Sequence, residues 1–209
     1  GRGGAGRREA GKRRMIDLAD LRAACDAHGA VVRVVIAELH GSSPREAGAS
    51  MTVWAGGQDG TIGGGALEWE AAARARAMLT GSFVPGTARI DRVALGPTLG
   101  QCCGGSVVLW SEVFRSGSLP EPVAGLVARG SGEMPLAVSR LLTRARNQGA
   151  ETGTRIVAGW LVEPVARPLR DIWVWGAGHV GRALVQVIAP LPGIRVTWID
   201  TAPERFPED

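Results

Sequence analysis

Residues 172–181 have the sequence IWVWGAGHVG, an apolar strand that runs directly into a G-x-G-x-x-G turn. Residues 182–188 continue with helical character, and residues 194–199 (IRVTWI) form a second apolar strand that ends at Asp200. A strand, a glycine turn, a helix, a second strand and an acid about 20 residues on are typical of a dinucleotide-binding β-α-β unit. The pattern predicts an α/β protein in which residues 171–209 begin a Rossmann-like, doubly wound domain.

This unit supplies the first set of candidate cofactor-binding residues, with NAD(P) as the ligand that the pattern predicts. The set comprises Gly176, Gly178, His179, Gly181 and Asp200. Two interpretations stay open at this point. The glycines can serve packing without any nucleotide, and His179 can face solvent at the helix start. A single β-α-β unit leaves sheet faces uncovered, so we expect the natural protein to continue after Asp209 or a partner to complete the sheet.

Charge is concentrated at the start of the chain. The 209 residues carry a net charge of +4, and residues 1–14 (GRGGAGRREAGKRR) hold six basic residues against one acid. We therefore expect residues 1–14 to be a disordered basic tail or upstream read-through ahead of Met15. The remaining chain has a net charge of −1, which argues against nucleic-acid binding. No apolar run reaches the roughly 18 residues of a membrane span, and three cysteines favour a reducing, cytoplasmic setting.

Residues 15–114 predict a mixed α/β N-terminal domain. Helices are expected from Leu18, capped by Asp17, and over residues 66–79; strands are expected over residues 30–39, 50–55, 88–95 and 106–114, with a hairpin turn at residues 56–60. Cys25 lies on the apolar face of the first helix and is interpreted as a core residue. Residues 115–170 predict a variable connecting region, with a short helix within residues 119–128, a loop over residues 144–153 and one strand over residues 156–162.

The stretch GQCCGG at residues 100–105 places two adjacent cysteines between glycines on a connection between strands. Glycine lets a large group approach the backbone closely, and a thiolate is a reactive or ligating group. The alternative is one buried thiol beside a neutral neighbour. The candidate residues of this stretch are Gln101, Cys102, Cys103, Gly104 and Gly105.

Two further loops have the composition of an anion site. Ser42, Ser43 and Arg45 follow the first strand and offer hydroxyls and a guanidinium, although an ordinary Ser-Pro turn explains them equally well. Residues 63–65 (GGG) lead into a helix whose N-terminal N–H groups attract anions. In that turn, Gly63, Gly64, Gly65 and Glu68 are candidate ligand residues, and Glu68 also suits the helix dipole as plain stabilisation.

The ordered set of these motifs resembles the XdhC/CoxI family, and the resemblance covers nearly all of residues 15–209, loosely over 115–170. It is carried by residues 41–45 (GSSPR), 48–51 (GASM), 60–68 (GTIGGGALE), 95–97 (LGP), 100–105 (GQCCGG) and 176–181 (GAGHVG). Members of this family are accessory proteins of xanthine dehydrogenase and related molybdenum hydroxylases.

The resemblance implies a chaperone more than an enzyme. Such a protein binds the molybdenum cofactor (molybdopterin), protects it while a cysteine desulfurase helps install its sulfido ligand, and delivers it to the hydroxylase. It implies that Cys102 holds the cofactor as a molybdenum ligand, with the contribution of Cys103 open. We expect a homo-oligomer. From chemistry, the pterin phosphate suits the Ser42-Ser43-Arg45 loop or the Gly63–Gly65 turn.

Two other functions remain open from the sequence. One is an NAD(P)-dependent oxidoreductase with Cys102 and Cys103 as a vicinal redox dithiol, supported by Asp200. Against it, the three histidines, His28, His40 and His179, show no spacing typical of a triad or metal site. The other is a scaffold protein whose glycine turns are purely structural.

Overall fold

The computed structural model describes residues 15–43, 45–81, 87–96, 104–149, 153–166, 170–189, 191 and 194–207. These residues form a mixed α/β fold, which confirms the predicted class. The chain divides by its contacts into two units, Arg13–Val165 and a smaller one that contains Ala166–Asp209. Each unit is described by itself. Among the described residues, no helix has the length and apolar content needed to cross a membrane.

A five-stranded antiparallel sheet is the centre of the larger unit, with the strand order β3-β2-β1-β5-β4. The strands are β1 (Ala30–His40), β2 (Ser50–Trp54), β3 (Gly57–Gly60), β4 (Ala88–Ala94) and β5 (Ser106–Arg115). The prediction of a turn over residues 56–60 was wrong in extent. Residues 57–60 pair with β2, which leaves only Ala55 and Gly56 to connect the two strands. The ring of Trp54 covers Gly57, where an added Cβ would lie 3.0 Å from Trp54 Cζ2.

Two helices pack on this sheet. Helix α1 (Leu18–His28) begins at Asp17, whose carboxylate accepts from the N–H groups of Ala19 and Asp20, each at 3.1 Å. Helix α2 (Gly65–Thr80) buries one face against the sheet through its stripe of Leu67, Ala71, Ala72, Ala75 and Met78. Full burial of side chains as large as leucine or methionine contributes about 1.5–3 kcal/mol each. The packing therefore fixes where the N-terminus of α2 lies relative to the strands.

Residues 115–165 form a second, three-stranded sheet with one helix. The sheet has the order β6-β8-β7, and its elements are β6 (Leu126–Arg129), β7 (Arg155–Val157) and β8 (Trp160–Pro164), accompanied by helix α3 (Leu136–Gln148). The predicted single strand over residues 156–162 was wrong. Ala158 and Gly159 have φ values of 48° and 81°, so they form a tight turn between two strands of a hairpin.

Two further predictions in this region also fail. Residues 119–128 contain no helix, because Ala124 and Gly125 adopt left-handed φ values of 52° and 79° and turn the chain into β6. The predicted loop over residues 144–153 is helical as far as Gln148, since Val138, Leu142 and Ala145 are buried at helical spacing.

A buried ionic network joins the two sheets. Arg33 on β1 donates to both carboxylate oxygens of Glu163 on β8, at 3.0 and 2.8 Å, and Glu163 is 0% exposed. Arg129 on β6 also pairs with Glu163 and donates to Glu112 on β5 at 2.7 Å. Burial alone would raise the pKa of Glu163, but the charges of Arg33 and Arg129 outweigh burial and hold that pKa low. Buried ion pairs add little net stability because their desolvation is costly, and among the described residues the buried Nη1 of Arg129 has no partner.

The smaller unit contains a parallel β-α-β arrangement. Strands β9 (Arg170–Trp175) and β10 (Ile194–Ile199) pair in parallel, and helix α4 (His179–Ile188) connects them. This is the local structure that the G-x-G-x-x-G stretch predicts. Trp173 and Trp175 on β9, and Val180, Leu184 and Val187 on α4, are large apolar side chains that remain exposed.

Candidate functional site

Three loops of the larger unit leave the same end of the five-stranded sheet. The registers set this arrangement: Ser50 pairs with Val35, Gly60 with Met51, and Ser106 with both His40 and Ala94. The loops over residues 41–49, 61–64 and 95–105 therefore start and finish at one end. The end of β3 lies two strands from β1, which is about 10 Å at the usual strand spacing. The antiparallel topology thus places three of the four predicted motifs at the same end of the sheet.

Two of these loops are in direct backbone contact. A Cβ added to Gly105 would lie 2.2 Å from the carbonyl oxygen of Ser42 and 2.5 Å from that of His40. Gly41 has a φ of +73°, and its Cβ would lie 3.2 Å from Gly105 Cα. Leu95 N–H donates to the carbonyl of Gly105 at 2.7 Å, so both flanks of the 97–103 segment are anchored together. Glycine at positions 41 and 105 is what allows the serine loop to touch the end of the cysteine segment.

Three of the predicted site residues, Gln101, Cys102 and Cys103, lie outside the described residues. Their predicted roles stay predictions. Their neighbour Gly104 is exposed, and an added Cβ there would meet nothing within 4 Å. The same holds for a Cβ at Gly96, at the other end of the segment. Among the described residues, no steric contact requires glycine at either position.

The serine loop presents its polar groups at this end of the sheet. Ser42 is exposed, and Ser43 and Arg45 are half-buried. The N–H of Arg45 donates to the hydroxyl oxygen of Ser43 at 3.5 Å, which is a long and therefore weak hydrogen bond. Within the described part of the chain, the guanidinium of Arg45 forms no ion pair. The loop can therefore offer two hydroxyls and one cationic fork to an anion.

The glycine turn before α2 is held by the carboxylate of Glu68. Gly63, Gly64 and Gly65 have φ values of 129°, 76° and 64°, a run of conformations that only glycine adopts readily. The Oε2 of Glu68 accepts from the N–H groups of Ile62 and Gly64, each at 3.0 Å, and from the hydroxyl of Thr61. Its Oε1 accepts from Gln58 Nε2 at 3.2 Å.

Glu68 thus acts like the glutamate of a capping box, reaching back from the first turn of the helix to the backbone of the N-cap residue. The sequence predicted Glu68 as a cofactor-binding residue, and the structure shows that its carboxylate is occupied by its own loop. Sequence reasoning missed Thr61 and Gln58 as its partners. The spacing of Thr61 before the glycines was the available signal, since Thr61 also accepts from Gly63 N–H at 3.1 Å.

The second glycine turn, in the smaller unit, gives each glycine a different role. Gly176 has a φ of +98°. A Cβ at Gly181 would lie 1.8 Å from the carbonyl oxygen of Gly176, so the close approach of α4 to the turn requires glycine there. A Cβ at Gly178 would meet nothing within 4 Å, and the φ of −73° suits any residue. His179 is exposed at the start of α4, and within the described residues it has no hydrogen-bond partner.

Asp200 is turned inward. Its Oδ2 accepts from Ala177 N–H at 2.6 Å, and its Oδ1 accepts from Ala202 N–H at 3.0 Å. These bonds from Ala177 and Ala202 hold the pKa of Asp200 below its ordinary value, and Arg205 at 3.4 Å adds to the effect. The side chain is only 3% exposed. Its carboxylate therefore binds the backbone of the glycine turn. In the dinucleotide-binding pattern, the acid at this position instead binds a ribose hydroxyl.

The third cysteine, Cys25, and possible metal-binding clusters complete the description of the candidate residues. Cys25, on the buried face of α1, is 1% exposed, and burial raises the pKa of its thiol, so the core interpretation is confirmed. Within the described residues, no group of three or more His, Cys, Asp or Glu side chains is arranged to hold a metal ion.

Comparisons with known proteins bear on this geometry. The model of the XdhC and CoxI family matches residues 24–90, which include β1, the Ser42 loop, the glycine turn and α2. No curated protein matches the sequence. A solved structure with a similar fold is a xanthine dehydrogenase from Bacillus halodurans, with a TM-score of 0.50 and 16% identity over 91% of this chain. The present chain spans 64% of that protein's length. The family resemblance seen in the sequence is thus supported over residues 24–90, where this chain matches the model of the XdhC and CoxI family.

Proposed function

We propose that this protein is an accessory protein of a xanthine dehydrogenase-type molybdenum hydroxylase, and that it binds the molybdenum cofactor as cargo. In this proposal it holds the cofactor while a cysteine desulfurase supplies sulfur and then delivers it to the hydroxylase. The main support for this function is that the three loops over residues 41–49, 61–64 and 95–105 leave the same end of the sheet. Within this group, Gly105 packs directly on the Ser42 loop. The family of residues 24–90 and the name of the Bacillus halodurans protein support the same direction.

The groups available at this end of the sheet fit such a cargo. The molybdenum cofactor combines a pterin with a phosphate and a soft metal centre. The hydroxyls of Ser42 and Ser43 would donate to phosphate oxygens, and the guanidinium of Arg45 would pair with their charge. The absence of a Cβ at Gly104 would let a large ring come close to the backbone. The N-terminus of α2, which follows the Gly63–Gly65 turn, would present N–H groups to a second oxygen-rich edge of the cargo.

Cys102 is the proposed thiolate ligand, and Cys103 is its neighbour of open function. A thiolate is a soft ligand suited to molybdenum. Glu68 would not touch the cargo in this scheme; it would keep the Gly63–Gly65 turn in its ligand-ready conformation. We further propose that residues 15–114 form the cargo domain, that the protein works as a homo-oligomer in the reducing cytoplasm, and that it is a chaperone and not a catalyst.

Cofactor retention tests this function directly. The purified full chain is loaded with molybdenum cofactor, passed through gel filtration, and assayed for the molybdenum and pterin that elute with protein. We expect the parent and a Cys25→Ala control, which removes the buried thiol, to retain the cofactor, and Cys102→Ala to lose most of it. Retention by Cys102→Ala equal to that of the parent would overturn the thiolate assignment, and failure of the parent to retain cofactor would overturn the function.

An NAD(P)-dependent oxidoreductase is the second candidate, and one observation favours it. A Cβ at Gly178 would contact nothing within 4 Å, so the packing of the described residues does not require glycine there. A glycine at this position would let a pyrophosphate approach the backbone closely. The inward Asp200 weighs against it, because a ribose hydroxyl would have to displace the N–H of Ala177. Calorimetric titration with NADH and NADPH separates the two candidates. We expect no binding heat, and tight binding with turnover of a test substrate would favour the oxidoreductase.

A further inference from the structure

An arginine-lined groove of about 660 Å³ lies between α3 and β7, a part of the molecule that the proposed function does not use. One stripe of α3 forms its first wall, including Arg140, Arg144 and Gln148, and Arg155 on β7 stands on the other side. Leu141 and Val157, both half-buried, contribute apolar surface between the cations. The groove therefore combines an apolar floor with a positively charged rim.

The described lining residues of this groove carry charge of one sign. Among the nine described residues that line it, none is acidic and three are arginines. Arg140 and Arg144 are four residues apart on one helix, where like charges destabilise the helix by about 0.2–0.5 kcal/mol. Within the described part of the chain, neither forms a salt bridge. Other surface arginines do, as in the pairs of Arg74 with Glu70 at 3.0 Å and Arg89 with Asp91 at 2.8 Å.

The sequence of α3 provides no acidic residue to balance these arginines. The helix LAVSRLLTRARNQ contains three arginines and no acidic residue, so no neighbour on the helix offsets Arg140 or Arg144. A solvated helix face that serves only solubility normally mixes both signs, since pairs of opposite charge four residues apart stabilise it. An unbalanced pair of cations beside a groove would attract an anion.

The shape of the groove favours an extended chain over a small molecule. Pockets for small ligands enclose most of the ligand surface, whereas here Arg140, Arg144 and Gln148 are exposed and the groove is open along one side. Its far wall, β7, is the outermost strand of the β6-β8-β7 sheet. An outermost strand beside a groove is a common docking place for extended peptides.

We propose that this groove docks an extended acidic segment of a partner protein, whose carboxylates pair with Arg140 and Arg144 and whose apolar side chains lie on Leu141 and Val157. This interaction surface is independent of the cofactor-binding proposal. Because the contacts are charged and near the surface, binding should weaken as the salt concentration rises.

Peptide binding to the full chain tests the proposal. The probe is a fluorescein-labelled decapeptide of alternating glutamate and valine, and its neutral counterpart replaces glutamate with glutamine. Fluorescence anisotropy should show binding of the acidic probe only. The double variant Arg140→Glu/Arg144→Glu should weaken binding at least about tenfold, because two charge pairs become repulsive. The control Arg22→Glu/Arg146→Glu makes the same charge change at exposed positions outside the groove and should shift affinity by no more than about twofold.

Three results would overturn the proposal. Equal binding of the neutral probe would remove the role of charge, and equal losses in both double variants would reduce it to net charge. Binding of inorganic pyrophosphate at the groove, without binding of the acidic probe, would identify a small-anion site instead. Circular dichroism of Arg140→Gln/Arg144→Gln verifies that loss of binding does not come from unfolding, and this neutral variant should lose affinity to an intermediate extent.

Discussion

Two glycine-rich turns lead into helices in this molecule, and in each a carboxylate binds the backbone of the turn. At Gly63–Gly65, the carboxylate is Glu68, which belongs to the helix that follows. At Gly176–Gly178, it is Asp200, which lies 23 residues beyond its partner Ala177, at the end of the next strand. The first turn is therefore closed by a contact within one helix, and the second by a contact that needs the whole β-α-β unit.

This difference shows which groups each turn leaves for a ligand. In both, the acid that sequence patterns favour as a ligand group is occupied by backbone N–H groups. What remains in the first turn is the N-terminus of α2. In the second turn, the backbone beside Gly178 remains available to a ligand. Gly178 is the one glycine of this motif that is required neither by a close contact nor by a positive φ. Backbone, not carboxylate, is the group with which either turn would bind an anion.

The largest expected effect comes from Gly181→Ala in the second turn. The new Cβ would lie 1.8 Å from the carbonyl oxygen of Gly176, so α4 must move away from the turn. Overpacking of this kind costs about 1–3 kcal/mol, and amide exchange over residues 170–199 in the full chain should accelerate by roughly ten- to a hundredfold. Gly178→Ala is the matched control, since its Cβ meets nothing within 4 Å. Similar exchange in both variants would show that the close approach at Gly181 is unimportant.

A smaller effect is expected at the first turn from Glu68→Ala. The change removes the acceptor of Thr61, Ile62 and Gly64, and water replaces part of it because Glu68 is half-exposed. Hydrogen bonds to charged groups are worth about 1.5–3 kcal/mol when buried, so we expect a loss of roughly 1–2 kcal/mol in urea unfolding of the full chain.

The control for this substitution lies two residues along the same helix. Glu70→Ala removes only the surface pair with Arg74, which is worth about 0.3–0.5 kcal/mol. Glu68→Gln keeps one acceptor oxygen and should fall between the two. If Glu68→Ala and Glu70→Ala cost the same, the carboxylate does not hold the turn.

The sequence was sufficient to predict both turns, because glycine position and helical periodicity are local signals. Asp17 and Gly29 bound α1 as predicted, and the strand–turn–helix–strand order of residues 171–200 is confirmed. The sequence could not predict where the two carboxylates bind. Glu68 has the same pattern whether it meets a ligand or its own loop, and only the folded path of residues 61–64 decides.

Long-range pairing was beyond sequence reasoning for a related reason. Arg33 and Glu163 are 130 residues apart, and nothing in either neighbourhood marks them as partners. The hairpin at Ala158 and Gly159 was also missed, because the seven residues around it are mostly apolar and suggest one continuous strand. The meeting of the three loops at one end follows only from the antiparallel registers, which local patterns do not contain.

The smallest expected effect is the pH dependence of the second turn. Because the bonds from Ala177 and Ala202 lower the pKa of Asp200 in the folded chain, its stabilising contribution is fully present above the unfolded pKa of about 3.9. The contribution is lost as the pH falls through the lower, folded pKa.

Protection of the Ala177 amide against hydrogen exchange, corrected for the intrinsic rate, should therefore decrease below about pH 4 in the parent. In Asp200→Asn it should be lower at neutral pH and nearly independent of pH, while Asp171→Asn, an exposed acid on β9, should behave like the parent. A parent whose Ala177 protection does not change between pH 7 and pH 3 would show that the ionised Asp200 does not close this turn, and the two turns would then differ in kind.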